Sequence, residues 1–308
     1  PNTKIIPRQT MKAGEMAALV LPPEVKNLRP LMTLTPLDRA PGIDGKISEA
    51  EWDSAAAVTG FTELNTRLYA SRQTVTYAGY DDEKLYFAFK CPHGGHFGRG
   101  APEGEMGWNT QTEAVEIWLQ PPGGQWYHFL GWPAGAYLDE NAEQGRTWDG
   151  PWEYASRVRD AGEAVGGIRT FEKKIWTVEV AIPFDALGAG SPRDGERWRM
   201  NFCRDFSTPP DETKQSADWT SWAPIQGKFH RTEQFGVVRF EHGAPVIQWL
   251  EIGDLPHGEL SVSGRRAGAE GTAGLGGRAG GAAHRLPRAG NGTEAPAPSR
   301  SFACAAAA

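Results

Sequence analysis

The sequence predicts an all-β fold, an antiparallel two-sheet β-sandwich, and three observations carry that expectation. Short runs of alternating apolar and polar residues recur through the middle of the chain. Clusters of turn-forming residues separate them, and no βα alternation appears of the kind a parallel sheet needs. The composition agrees: 38 Gly, 23 Pro and 12 Trp among 308 residues favour many short strands joined by turns. Hydrophobic residues at 39% against 23% charged leave enough apolar surface for a real core.

In order along the chain, residues 1–40 read as a Pro-rich lead-in with one strand around residues 31–34. A strand-rich domain follows over residues 41–241. Ser48-Glu49-Ala50-Glu51, ahead of Trp52 and Ala55-Ala56-Ala57, has capping-box spacing and predicts a short helix. Alternation predicts strands at residues 74–80, 85–90, 114–120, 126–132, 175–182, 197–205 and 236–240. Asp81-Asp82, Pro121-Pro122-Gly123-Gly124 and Arg193-Asp194-Gly195 mark turns between them. Residues 242–261 read as the start of a further strand-rich segment. Residues 262–308 turn to Gly, Ala and Arg, which bury too little apolar surface to offset ordering entropy. They read as a disordered tail or as GC-rich DNA translated out of frame. A chain that begins at Pro1 is a mature form, a processed form or a fragment, and its start is silent on a signal peptide.

Several classes are disfavoured. A net charge of −6 argues against nucleic acid as partner, because such affinity comes largely from neutralised phosphates. No run approaches the roughly 20 apolar residues of a membrane span. Cys91, Cys203 and Cys304 match no zinc or redox spacing, and their odd number precludes a complete disulfide framework. Alternation puts Cys91 with Leu85, Phe87 and Phe89 but Cys203 with Asn201 and Asp205, so the two are not expected to pair.

The same alternation sorts the candidate site residues. Val115, Ile117 and Leu119 form a core face, which leaves Glu116 and Trp118 on the other. His128, Leu130 and Trp132 alternate with Tyr127, Phe129 and Gly131 in the next strand. Asn201, Cys203 and Asp205 alternate with Trp198, Met200 and Phe202. One outer surface then gathers Glu116, Trp118, His128, Trp132, Asn201 and Asp205. Acids, amides and indoles together suit sugars, whose hydroxyls pair with polar groups while their C–H faces lie on aromatic rings. Each residue also has an ordinary reading: Glu116 as a solvated strand residue, His128 as a local hydrogen-bonding group, Asn201 and Asp205 as loop anchors. Trp52, Trp176 and Trp198 read as core, whereas Trp108, Trp126, Trp148, Trp152, Trp219 and Trp222 sit in polar, turn-rich stretches.

The ordered set of segments resembles carbohydrate-binding module family 9. Ile43-Asp44-Gly45-Lys46-Ile47, then Glu51-Trp52 and Ala55-Ala56, is similar to the family's opening. Asp81-Asp82-Glu83-Lys84-Leu85-Tyr86 resembles its next strand pair, and Trp108 with Glu113-Ala114-Val115-Glu116-Ile117 its loop Trp and acidic strand. Trp176-Thr177-Val178-Glu179-Val180-Ala181-Ile182-Pro183-Phe184, Trp198-Arg199-Met200-Asn201-Phe202 and Phe235-Gly236 complete the series over about residues 41–240. The resemblance implies a secreted, non-catalytic sandwich attached to polysaccharide-degrading glycoside hydrolases. It would hold a saccharide end between two Trp rings, with structural calcium. By position, Trp108 is one clamp ring and Glu116 the hydroxyl acceptor, with Trp219, Trp222 or Phe229 supplying the second ring. The sequence differs from the family pattern at Leu130 (a basic position), Cys203 (an amide) and Trp132 (an Asn). Asp81-Asp82-Glu83 and Asp139-Glu140-Asn141 are the turns with oxygen ligands for calcium.

Two other functions compete. A glycosidase needs paired carboxylates about 5–9.5 Å apart, but Glu113 and Glu116, three apart on one strand, face opposite ways. Glu179 has no evident partner, and no Gly-x-Ser-x-Gly, phosphate-loop or His-Glu-x-x-His pattern occurs. A haem-binding electron-transfer sandwich would use Met106 or His128, though without a Cys-x-x-Cys-His attachment motif. A sandwich with a lost sugar site, serving only as a structural module, is the remaining alternative.

Overall fold

In a computed structural model of the chain, residues 29–66, 68–70, 72–93, 104–105, 113–160, 174–207, 217–243, 246–251 and 263–267 are described. The chain enters as β1 (Leu31–Leu34) and makes one helical turn, α1 (Glu49–Trp52). It continues through β2 (Ala56–Val58), β3 (Thr62–Glu63), β4 (Val75–Tyr80), β5 (Lys84–His93), β6 (Gly104–Glu105), β7 (Ala114–Gln120), β8 (Tyr127–Gly131) and β9 (Ala136–Asn141). Then come β10 (Glu153–Asp160), β11 (Lys174–Pro183), β12 (Arg197–Ser207), β13 (Ala217–Ser221) and β14 (Gly236–Phe240), and lastly β15 (Val246–Glu251) and β16 (Ser263–Ala267).

Two sheets form the sandwich. One runs β1-β14-β12-β7-β8-β9-β6, with β13 added to β12 and β3 to β13, nine strands in all. The other is five-stranded, β10-β11-β5-β4-β2. Pairing is antiparallel except at two margins of the larger sheet, where β1 lies parallel to β14 and β6 parallel to β9. Every strand expected from alternation is present. The fold begins earlier than residue 41: Met32 and Leu34 of β1 are buried in the main core, so this part of the lead-in belongs to the sandwich. Residues 246–251 and 263–267 pair as a separate antiparallel hairpin, which carries the further strand-rich segment a few residues past 262. The remainder of the expected tail lies outside the described residues.

Between the sheets, Val115, Ile117 and Leu119 of β7 and Met200 and Phe202 of β12 meet Phe87 and Phe89 of β5 and Trp176, Val178 and Val180 of β11. Phe202 stacks against Phe87 and Phe89 with ring centroids 5.6 and 6.1 Å apart. Trp176 and Trp198 are buried here, as their alternation requires. Trp52 is also buried, but on the far side of the five-stranded sheet against Tyr86, Ala88 and Ala181. Cys91 lies in the main core and Cys203 on the opposite face of the other sheet, and both thiols are free.

The expected capping box does not form. The Ser48 hydroxyl donates to the Glu51 carboxylate instead of capping a backbone N–H, and the helix stops after one turn. The segment around it has another role: it docks on Glu179. Glu179 Oε2 accepts from the backbone N–H of Asp44 at 3.1 Å and Gly45 at 2.9 Å, and Oε1 from Trp52 Nε1 at 2.8 Å. Gly45 has φ +78°, and a Cβ there would come within 2.9 Å of the Ser156 backbone, so glycine is required. The outer face of the five-stranded sheet is thereby sealed by residues 43–52.

Candidate functional site

The outer face of the nine-stranded sheet is built from β9, β8, β7, β12 and β13, taken across the strands. Register places Glu140 opposite His128, His128 opposite Trp118, and Trp118 opposite Asn201. One pleat further on, Glu116 lies opposite Cys203, and Cys203 opposite Ser221. Asp205 lies opposite Trp219. Directly opposed residues share a face, so Glu116, Trp118, His128, Asn201, Asp205 and Trp219 stand on one surface.

Their burial divides them. Glu116 is buried; its Oε2 accepts from Trp118 Nε1 at 2.7 Å and lies 3.0 Å from His128 Nε2, a charge contact without hydrogen-bond geometry. His128 is fully buried and lies flat beneath Trp118, with centroids 3.8 Å apart and planes 10° from parallel. Its Nδ1 is 2.9 Å from Glu140 Oε1. Fully buried beneath Trp118 with Nδ1 bonded to Glu140, His128 does not present its ring to an open pocket of the kind a haem iron needs. Met106, the other haem candidate, and Trp108 lie outside the described residues.

Trp118 is buried too, packed against Trp126, Phe229 and Phe235. Part of this cover is the loop after β13, held down where Asn201 Oδ1 accepts from the Ala223 N–H at 2.8 Å. Trp132 packs in a neighbouring cluster with Ala114, Leu130, Ala136 and Leu138. Its carbonyl accepts from Tyr154 Oη, and its Nε1 meets no acceptor among the described residues. Trp222, expected as a possible clamp ring, points the other way: it is a core side chain against Phe202 and over Gly236. Trp219, three residues earlier, is 46% exposed.

Asp205 is half-buried, and its Oδ1 has no hydrogen-bond partner among the described residues. Burial first, then the nearby Glu116 charge, push the Asp205 pKa well above its ordinary value, against the opposing pull of the Arg204 charge. The arrangement is thus an exposed indole beside one half-buried carboxyl group, Asp205, with Glu116, His128 and Trp118 buried next to it.

Glu140 was expected only as part of a calcium turn. Its link to His128 was legible in the hairpin implied by the Pro133-Ala134-Gly135 turn, which puts residues 136–141 beside β8. The calcium turns themselves are occupied by turn chemistry. Asp81 Oδ1 accepts from the N–H groups of Glu83 and Lys84, and Oδ2 from Tyr86 Oη. Asp139 Oδ2 accepts from the Gly150 N–H, and Asn141 Oδ1 from those of Glu143 and Gln144. Among the described residues no three acidic, histidine or cysteine side chains converge as a metal site. No described helix is long and apolar enough to cross a membrane.

Fold and site together define a two-sheet β-sandwich domain with a mixed acidic and aromatic outer sheet face. No family model and no curated protein matches the sequence. Among solved structures, the chain is similar to a protein from Bacteroides uniformis assigned provisionally as carbohydrate-binding, at 17% identity over 70% of this chain and 100% of that one, TM-score 0.49. It is also similar to a family 9 carbohydrate-binding module from Caldicellulosiruptor kristjanssonii. The complex with cellotriose shows 11% identity over 70% and 95% of the two chains, TM-score 0.44. The complex with glucose shows 11% over 69% and 97%, TM-score 0.44. At these values the likeness gives no residue-by-residue correspondence, and the sandwich stands on its own strand register.

Proposed function

We propose that this domain binds carbohydrate on the outer face of its nine-stranded sheet and does not itself cleave it. One observation carries the reading: Trp219, a half-exposed indole, stands in register with Asp205 on the face that also bears Glu116. An exposed ring covers the apolar face of a pyranose, and the half-buried Asp205 carboxyl beside it pairs with its hydroxyls. Trp108 is the second ring of this proposal. Leu31 is the other large hydrophobic exposed among the described residues, and it sits on an edge strand away from any such acid.

The acids support binding over hydrolysis. Glu113 points inward and is buried in an ion pair with Arg204, with His93 Nδ1 2.7 Å away. Glu179 is spent on the docked segment, and Glu116 on Trp118 and His128. No two of these carboxylates flank an open cleft as a glycosidase requires. Catalysis would belong to another domain or partner of a secreted polysaccharide-degrading system.

Covering one indole face removes roughly 100 Å² of apolar surface, about 2.5 kcal/mol at ~25 cal/mol/Å² and roughly 70-fold in Kd. After the cost of fixing a small ligand, affinity falls in the range of about micromolar to millimolar. Calorimetry of the full chain against a panel of neutral oligosaccharides, glucose and cellotriose included, is the test. Trp219→Ala should lose binding by about that factor with a stability change within about 0.5 kcal/mol, as for an exposed side chain. Absence of binding to every saccharide would remove the reading. Undiminished binding in Trp219→Ala would move the site elsewhere.

A further inference from the structure

The outer face of the nine-stranded sheet continues past its buried acids to a corner of opposite charge. Along β12, Arg197 and Arg199 alternate with the core residues Trp198 and Met200, so they share the outer face with Asn201, Cys203 and Asp205. Register puts Arg197 directly opposite Arg239 of β14, and Arg199 between Val237 of β14 and Gln120 of β7. Arg197 and Arg199 are exposed, and Arg239 keeps 42% of its side chain in solvent.

Positive charge is in excess there. Arg239 Nη2 lies 2.5 Å from Glu241 Oε1, whereas Arg197 and Arg199 have no ion pair or hydrogen bond from their side chains among the described residues. The neighbouring acids of the chain are committed elsewhere: Glu196 Oε1 accepts from Trp198 Nε1, and Asp194 Oδ1 from the His242 N–H. Like charges directly opposite each other on neighbouring strands destabilise a sheet. The Arg197–Arg239 pair therefore costs stability that a neutral polar residue at either position would not. Guanidinium groups side by side on a pleated surface present planar donor forks that match carboxylates.

We infer that Arg197, Arg199 and Arg239 form an anion subsite, and that the saccharide taken by this sheet face bears carboxylate groups, as uronic acids do. This names the substrate class of the face proposed above to bind sugar, and rests on that reading for the ligand being a saccharide. Arg199 and Asp205 stand six residues apart on one strand, about 20 Å at ~3.4 Å per residue. An oligosaccharide of several rings reaches from the Trp219 ring to the arginines, across the loop that covers Asn201; a monosaccharide meets one end only. Nucleic acid is the poorer match, because the net charge of −6 repels its dense phosphates everywhere outside this corner.

The test is calorimetry of the full chain against oligosaccharides of galacturonate, glucuronate and mannuronate, with cellotriose as the neutral control and a DNA duplex as the other polyanion. At least one uronate oligomer should bind more tightly than cellotriose. In the Arg197→Gln/Arg199→Gln double variant that preference should fall about fivefold, as the loss of two exposed ion pairs implies. It should also fade between about 0.01 M and about 1 M salt, as the screening length contracts from about 30 Å to about 3 Å. The melting temperature of the variant should hold or rise, because the like-charge pair is relieved. The inference is overturned if no uronate is preferred, if the variant keeps the preference, or if it melts several degrees lower. DNA bound as tightly as the uronates overturns the substrate class. Uronate binding that survives Trp219→Ala but not the double variant supports the subsite and removes the Trp219 reading, so the two fail separately.

Discussion

Each sheet of the sandwich turns one face outward, and the two faces use a buried glutamate to different ends. On the five-stranded sheet, Glu179 gathers two backbone N–H groups and the Trp52 indole, all from one short segment of its own chain. Its acceptors are spent and its face is covered. On the nine-stranded sheet, Glu116 also accepts an indole N–H, but its Oε2 lies 3.0 Å from the titratable His128 ring instead of gathering backbone donors. Beside them stands an exposed ring, Trp219, where the first face has buried Trp52. The same pairing of acid and indole is buried on both faces, and on the nine-stranded one an exposed ring, Trp219, stands beside it. A glutamate on a sheet face is therefore diagnostic only once its donors are known.

The largest effect that separates the faces is expected from Glu179→Ala. It leaves the buried Gly45 N–H and Trp52 Nε1–H unpaired, at about 1–3 kcal/mol each. Chemical denaturation should show a loss of about 3 kcal/mol, with saccharide affinity unchanged in whatever fraction remains folded. A loss below about 0.5 kcal/mol, the range of ordinary surface changes, would mean the segment over residues 43–52 is not held by Glu179. Trp219→Ala is the opposite case, with affinity lost and stability kept. A chelator should do least. The oxygens of Asp81, Asp139 and Asn141 are already paired with N–H or O–H donors, so the melting temperature should move by less than about 1 °C. A fall of several degrees, equivalent to about 1 kcal/mol or more for a domain of this size, would show that a metal ion supports the fold.

Much of the fold was legible because buried strands must alternate. Residues 114–120, 175–182 and 197–205 carry large apolar side chains at every second position, and they became the centres of the two sheets. β10 was missed for the complementary reason: as an edge strand it carries Arg157 and Arg159 beside Tyr154 and Val158, so its alternation is weak. β2 is three small residues, and β13 read as a loop because Asp218 and Ser221 dilute its pattern.

The site was legible in part by the same rule. Alternation alone put Glu116, Trp118, His128, Trp132, Asn201 and Asp205 on one face; register places all but Trp132 together there, and Trp132 packs in a neighbouring buried cluster. It could not show that Trp118 and Asn201 lie under a loop, because the cover comes from Ala223, Ile225 and Phe235, far along the chain. Nor could it choose between Trp219 and Trp222. An odd spacing along an extended chain sends two side chains to opposite faces, and that argument needed residues 217–221 to be recognised as a strand.

The central claim is that ligand meets the nine-stranded face and not its counterpart. Indole N–H resonances of ¹⁵N-labelled full chain, titrated with cellotriose, test it most directly. The account predicts that the Trp219 signal shifts with a saturable dependence, while that of Trp52, bonded to Glu179 on the other face, does not move. A shift at Trp52 with Trp219 unchanged would contradict it.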